Sequence, residues 1–174
     1  ESIDALGQVD ILVNNAGGYN TLGFFELKPH DFEQLLQVTL MAPFFLSQLV
    51  AKGMVHKQAG GNIINISSIS GTRPTLNRVA HASGKAALNM LTQTMALELA
   101  QHRIRVNAIA PGYTPYEESS ELDPFIPYIP LGRAGLPSDQ ASVALFLATE
   151  ESSWMTGQIL TVDGGHSIAL SMDT

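Results

Sequence analysis

The sequence contains no cysteine, which excludes disulfides, thiolate metal sites and thiol catalysis. Such a composition fits a reducing compartment, and a cytoplasmic location is the expectation. Basic residues are scarce. Nine Lys and Arg stand against sixteen Asp and Glu, a formal charge of −7. That balance argues against nucleic acid or an anionic membrane as a partner. No run of eighteen uninterrupted apolar residues occurs, so no membrane-spanning helix is expected. No basic segment followed by an apolar stretch opens the chain, so no signal peptide is read there. No GxGxxG or GxxxGxG occurs either, so no Gly-rich phosphate turn of the dinucleotide-binding kind lies within these residues. What is present is a core-forming composition, 45% hydrophobic and only 14% charged over 174 residues.

In chain order, Glu1–Gly7 reads as the end of a helix closed by glycine. Val9–Asn15 is a short apolar run suited to a strand buried on both faces, followed by Gly17-Gly18. From Asp31 to about Lys57 the pattern is helical, with Pro43 expected to kink its middle. Asn62–Ser68 is a second strand, and Val79 to about His102 a second long helix. Arg103–Ala110 is a third strand, stopped by Pro111-Gly112. Tyr113–Gly135, with Pro115, Pro124, Pro127 and Pro130, reads as a lid whose Tyr116, Phe125 and Tyr128 suggest an apolar or aromatic-lined pocket. Ser138 is placed as the cap of a helix running to about Thr149, and Gln158–Asp163 is a fourth strand ended by Gly164-Gly165. Strands alternating with long helices predict an α/β fold with a parallel sheet covered on both faces. Ligands of such sheets bind at the carboxyl ends of the strands. Those ends are Asn14-Asn15-Ala16-Gly17, Ser67-Ser68, Pro111-Gly112 and Asp163-Gly164-Gly165.

Chemistry concentrates at one of these ends. Ser68 closes an apolar strand, and His81 and Lys85 follow one helical turn apart on one face. A hydroxyl, an imidazole and an ammonium so arranged can bind and protonate a carbonyl oxygen. His30, His56, His102 and His166 show no metal spacing and are read as surface residues, with no metal site expected. Arg103 and Arg105 are read as structural ion-pair partners.

These motifs, in this order, resemble the short-chain dehydrogenase/reductase family. Asn14-Asn15-Ala16-Gly17 is similar to its NNAG. Ile66-Ser67-Ser68 resembles the strand that brings in the catalytic Ser, and Lys85 falls at the Lys of YxxxK. Pro111-Gly112 with Thr114 resembles its turn against the nicotinamide. Pro130–Pro137 and Thr156–Gly165 resemble its C-terminal signature.

The resemblance implies a Rossmann-like, doubly wound parallel sheet, with residues 1–174 forming one partial domain. The opening βαβ half and its phosphate turn have no counterpart here. It further implies an oxidoreductase moving hydride reversibly between NAD or NADP and an alcohol or carbonyl substrate. The implied catalytic residues are Ser68, His81, Lys85 and Thr39; the implied cofactor contacts are Asn15, Ala16, Gly17, Lys85, Pro111, Gly112 and Thr114. Two positions depart from the family. His81 stands where it has Tyr, and Thr39 where it has Asn. Those departures keep two other readings open: a dinucleotide-binding protein without hydride chemistry, acting as sensor or partner subunit, and non-redox chemistry with His81 as base.

Without a neighbouring strand, Ile11, Leu12 and Val13 are expected on an open apolar edge. The two long helices carry more apolar surface than one sheet face covers, which predicts a homodimer or homotetramer.

Overall fold

The computed structural model describes residues 7–115 and 123–169. The helix end expected at Glu1–Gly7, Gly7 apart, and Tyr116 of the lid lie outside them. Four strands form one parallel sheet in the order β1 (Ile11–Asn14), β2 (Gly61–Ile66), β3 (Ile104–Pro111) and β4 (Ile159–Val162). Each strand is shorter than, or shifted by a residue or two from, its apolar run.

The two-residue repeat of the strands divides the core into two layers. Ile63, Ile104 and Val106 face one side, where they pack with Val50, Ala51, Met54 and Ala96 of two long helices. Ile64 and Ile109 face the other side and meet Leu147 of α4 (Pro137–Ala148). Helices therefore cover both faces, as the pattern predicted.

The first long helical stretch begins at Pro29 and runs as α1 (Pro29–Leu36), a π turn at Gln37–Met41 and α2 (Ala42–Lys57). The expected kink at Pro43 takes this form. Proline has no N–H to donate, and its ring crowds the preceding turn. The wider turn, in which the Ala42 N–H donates to Gln37 O, takes up that misfit. The whole stretch, Pro29–Lys57, is long and apolar enough to cross a membrane by length and mean hydropathy. Its inner face instead packs on the sheet through Pro43, Ser47, Val50, Ala51 and Met54. The second long helix is α3 (Val79–Leu99), which ends in a single 3-10 turn at Ala100–His102.

Three local expectations need correction. Leu136, not Ser138, is the N-cap of α4: Pro137 opens the helix, and Asp139 turns back to accept the Leu136 N–H at 2.7 Å. Arg103 and Arg105 hold carbonyls rather than carboxylates. Arg105 donates to Met155 O, Leu147 O and Thr149 O, and Arg103 to Gln58 O. His166 is half-buried, not a surface residue, and sits in the turn organised by Asp163.

The edge expectation divides. Ile11 and Val13 are each 45% exposed on the α4 side of the sheet, whereas Leu12 packs into the cluster beneath the long helices.

A buried polar chain crosses the layers. Asn14 Nδ2 donates to Ser47 Oγ at 3.0 Å and to Asn65 Oδ1 at 2.8 Å, and Asn65 Nδ2 donates to Thr92 Oγ1 at 2.9 Å. These bonds tie β1 and β2 to α2 and α3 and fix where β1 ends relative to α3. Hydrogen-bonded networks of this kind specify a register that apolar contacts leave loose.

Candidate active site

The site is assembled from two adjacent serines that the fold treats differently. Ser67 is buried, and its hydroxyl donates to Asn89 Oδ1 at 2.5 Å. Ser68, the next residue, faces the other way and is half-exposed. It caps a 3-10 turn at Ile69–Gly71, its Oγ accepting the Ser70 N–H at 3.1 Å, and its own O–H remains to be given. Alternation along the strand thus makes one serine structural and leaves the other for chemistry.

Lys85 lies on α3, 4% exposed. Its Nζ donates to Ile66 O at 2.5 Å, two residues before Ser68. Among the described residues no carboxylate lies against it, and burial pulls its pKa down to about 8. An ammonium carries three donors, so two remain for another acceptor. They lie beside Gly17, where an added Cβ would stand 3.5 Å from Nζ.

His81, one turn before Lys85, is half-buried with Nδ1 at 3.0 Å from Gly18 O. A carbonyl only accepts, so Nδ1 carries the hydrogen and the neutral ring has its lone pair on Nε2. Burial is the main cause holding the His81 pKa below 6.5. The Gly18 carbonyl opposes it, and the cations Lys85 and Arg78 lower it further. The site therefore favours the neutral ring.

Around this pair stands the loop after β1. Asn15, Ala16, Gly17 and Gly18 are exposed at the mouth. Gly112 must lack a side chain, since a Cβ there would meet Asp163 Cβ at 2.6 Å, and its N–H donates to Val162 O. Thr114 Oγ1 is 3.5 Å from Gly112 O. Thr39 is elsewhere. It is fully buried in the π turn, with its hydroxyl donating to Leu35 O at 2.7 Å. Its Oγ1 fills the space over Gly84, where a Cβ would come within 2.4 Å. Thr39 therefore bears on Lys85 only through the helix position beside it.

Of the lid aromatics, Tyr113 and Phe125 pack with ring centroids 4.6 Å apart, and Tyr113 O–H donates to Asp123 Oδ2 at 2.7 Å. No group of His, Asp or Glu among the described residues has metal-site geometry.

The family model described as enoyl-(acyl carrier protein) reductase matches residues 1–167. The 3-oxoacyl-(acyl-carrier-protein) reductase of Thermotoga maritima is 39% identical over 168 residues, 94% of this chain and 68% of that protein. This chain is a short-chain dehydrogenase/reductase. It thus belongs to a family of NAD(P)-dependent oxidoreductases acting on small molecules. Solved structures of the family superimpose closely. Acetoin dehydrogenase from Salmonella typhimurium has a TM-score of 0.91 at 37% identity, covering 99% of this chain and 70% of that one. A 4-hydroxyisoleucine dehydrogenase complexed with NADH has a TM-score of 0.90 at 33% identity, covering 97% of this chain and 74% of that one. The short-chain dehydrogenase/reductase described here spans about two thirds of the length of the curated relatives it matches.

Two residues of the site escaped the sequence reading. Tyr19 follows Gly18 and stands edge-on to His81, ring centroids 6.3 Å apart, and Arg78 lies over the Tyr19 ring at 4.0 Å. The signal available was position alone: Tyr19 directly follows the NNAG turn, and Arg78 is one residue ahead of α3.

Proposed function

We propose that this short-chain dehydrogenase/reductase interconverts a small secondary alcohol and its carbonyl compound, with NAD or NADP as hydride partner. The observation that carries the reading is the buried Lys85 ammonium, beside Gly17 and one helical turn from His81. Two spare N–H donors at an open glycine turn fit the paired hydroxyls of a ribose. The NADH complex of 4-hydroxyisoleucine dehydrogenase supports the same cofactor class. Lys85, Asn15, Ala16 and Gly17 would hold the ribose side, and Pro111, Gly112 and Thr114 the nicotinamide side. The cofactor, when bound, supplies or receives the hydride.

The protein's own part is to hold the reacting oxygen and move its proton. Ser68 donates its free O–H to that oxygen. In the oxidative direction neutral His81 takes the alcohol proton on Nε2; in the reductive direction the imidazolium returns it. The Gly18 carbonyl sets the tautomer that makes Nε2 the basic atom. Thr39 acts as a positioning residue, through Gly84.

The test is absorbance of NADH and NADPH across a panel of small ketones and secondary alcohols. Turnover with at least one pair is expected, and Ser68→Ala should lower kcat/KM by about a hundredfold. A folded protein that binds the cofactor yet turns over nothing would overturn the redox reading and favour a dinucleotide-binding protein or non-redox chemistry at His81.

We further propose a homodimer or homotetramer formed through α2 and α3, in a cytoplasmic protein of which residues 1–174 are one partial domain. Phe45 and Leu49 on α2 and Met90 and Leu97 on α3 are more than half exposed, apolar surface that association would cover. Light scattering at micromolar concentration should give a multimer; a monomer would count against it.

A further inference from the structure

We infer that Arg78, seated on Tyr19, receives an anionic group of the substrate, so that the substrate is a short hydroxy acid or oxo acid rather than a neutral alcohol or ketone. The inference rests on the oxidoreductase reading and names the substrate class of that same site.

Its basis is the company kept by each arginine. Arg133 pairs with Asp139, Arg73 donates to Ser167 O, Arg103 to Gln58 O, and Arg105 to three carbonyls. Arg78 is half-buried and, among the described residues, its guanidinium meets no acceptor; it lies over the Tyr19 ring face, with Cζ 4.0 Å from the centroid. A ring face holds a guanidinium in place and leaves its N–H edge uncommitted. That edge belongs to the site. The ring supporting it stands edge-on to His81.

The local field points the same way. Among the described residues, the charges acting on His81 are those of Lys85 and Arg78, both cationic. Two cations acting on one ring in a chain of net charge −7 favour an anionic ligand beside that ring. A planar guanidinium suits a carboxylate, which it can bind through two parallel hydrogen bonds. A carboxylate on Arg78 would leave the rest of a molecule a few carbons long near the His81 ring, to which the Tyr19 ring stands edge-on.

The experiment compares acetoacetate with its methyl ester as substrates for wild type, Arg78→Gln and Arg78→Lys. For wild type the acid should be preferred in kcat/KM by about thirtyfold, the worth of a charge-assisted contact. In Arg78→Gln that ratio should fall close to one, mainly through KM, and Arg78→Lys should recover part of it. A wild-type ratio near one, or a ratio that Arg78→Gln leaves unchanged, overturns the inference. Calorimetry with oxamate and its neutral amide, oxamide, separates this from failure of the redox reading. If no substrate is turned over, binding of oxamate over oxamide that Arg78→Gln abolishes still upholds the anion site. Equal or absent binding of the two overturns it.

Discussion

Replacing Lys85 with Met should remove about a thousandfold of kcat/KM while leaving the protein no less stable, and by about 1 kcal/mol more stable at pH 7. The two halves of that result have one cause. Lys85 is an ammonium pulled out of water with a single carbonyl as partner, and its pKa falls from the ordinary lysine value of 10.5 to about 8. A depressed lysine pKa means the charge opposes folding at neutral pH. Its stability contribution is complete above about pH 10.5 and is lost as pH falls towards 8. Met has similar length and no charge, so it removes the desolvation cost and gives back part of the gain by leaving Ile66 O without its donor. Activity falls because the ribose hydroxyls lose their donors and the developing charge on the reacting oxygen loses a nearby cation. Urea denaturation at pH 7 and pH 10 tests the first half: the advantage of Lys85→Met should shrink at the higher pH. A variant less stable than wild type at pH 7 would show that the Ile66 bond outweighs the buried charge.

Replacing His81 with Phe should lower kcat/KM by about a thousandfold, the range of a lost acid–base group, with little change in fold because the ring keeps its place against Tyr19. The pH profile carries the sharper test. His81 has a pKa below 6.5, from burial first and from Lys85 and Arg78 as further lowering charges, with Gly18 O opposing. Alcohol oxidation needs the neutral ring, so its kcat/KM should hold at pH 7 and drop as pH falls through that lowered pKa. Carbonyl reduction needs the imidazolium and should fall as pH rises through the same value. The groups acting on the ring are Lys85 from its own helix, Arg78 just ahead of that helix, and Tyr19 and the Gly18 carbonyl from the loop after β1. The stability sign follows from the same shift: His81 adds stability above pH 6.5 and loses it as pH falls through its folded pKa. If His81→Phe keeps the wild-type rate and profile, His81 is not the proton carrier. Restoring a phenol with His81→Tyr then asks whether the family's acid works in this cleft.

Much of the frame was legible because it depends on local pattern. Four apolar runs separated by helical stretches, with polar or glycine turns at their carboxyl ends, dictate a parallel sheet and the end at which ligands bind. The motifs around Asn15, Ser68 and Gly112 lie at those ends by chain order alone. Boundaries were less legible. The N-cap of α4 fell at Leu136 because Asp139 reaches back to its N–H, a contact that a hydroxyl at Ser138 does not announce. The effect of Pro43 was foreseeable as a disturbance. Its form, a π turn that buries Thr39 against Gly84, depends on how α1 and α3 pack.

By itself the sequence determined the fold class, the family and the residues at the mouth of the sheet, including His81 where the family has Tyr. Periodicity and motif order are properties of the chain and survive without knowledge of any contact. Only the tertiary structure decided what those residues face. It turned Ser67 inward and left Ser68 free, and stripped Lys85 of solvent. It gave the Nδ1 hydrogen of His81 to Gly18, and it laid Arg78 on Tyr19 beside that ring. Residues distant in sequence become neighbours only through packing, and the chemistry of an ionisable group is set by those neighbours and by the water they exclude.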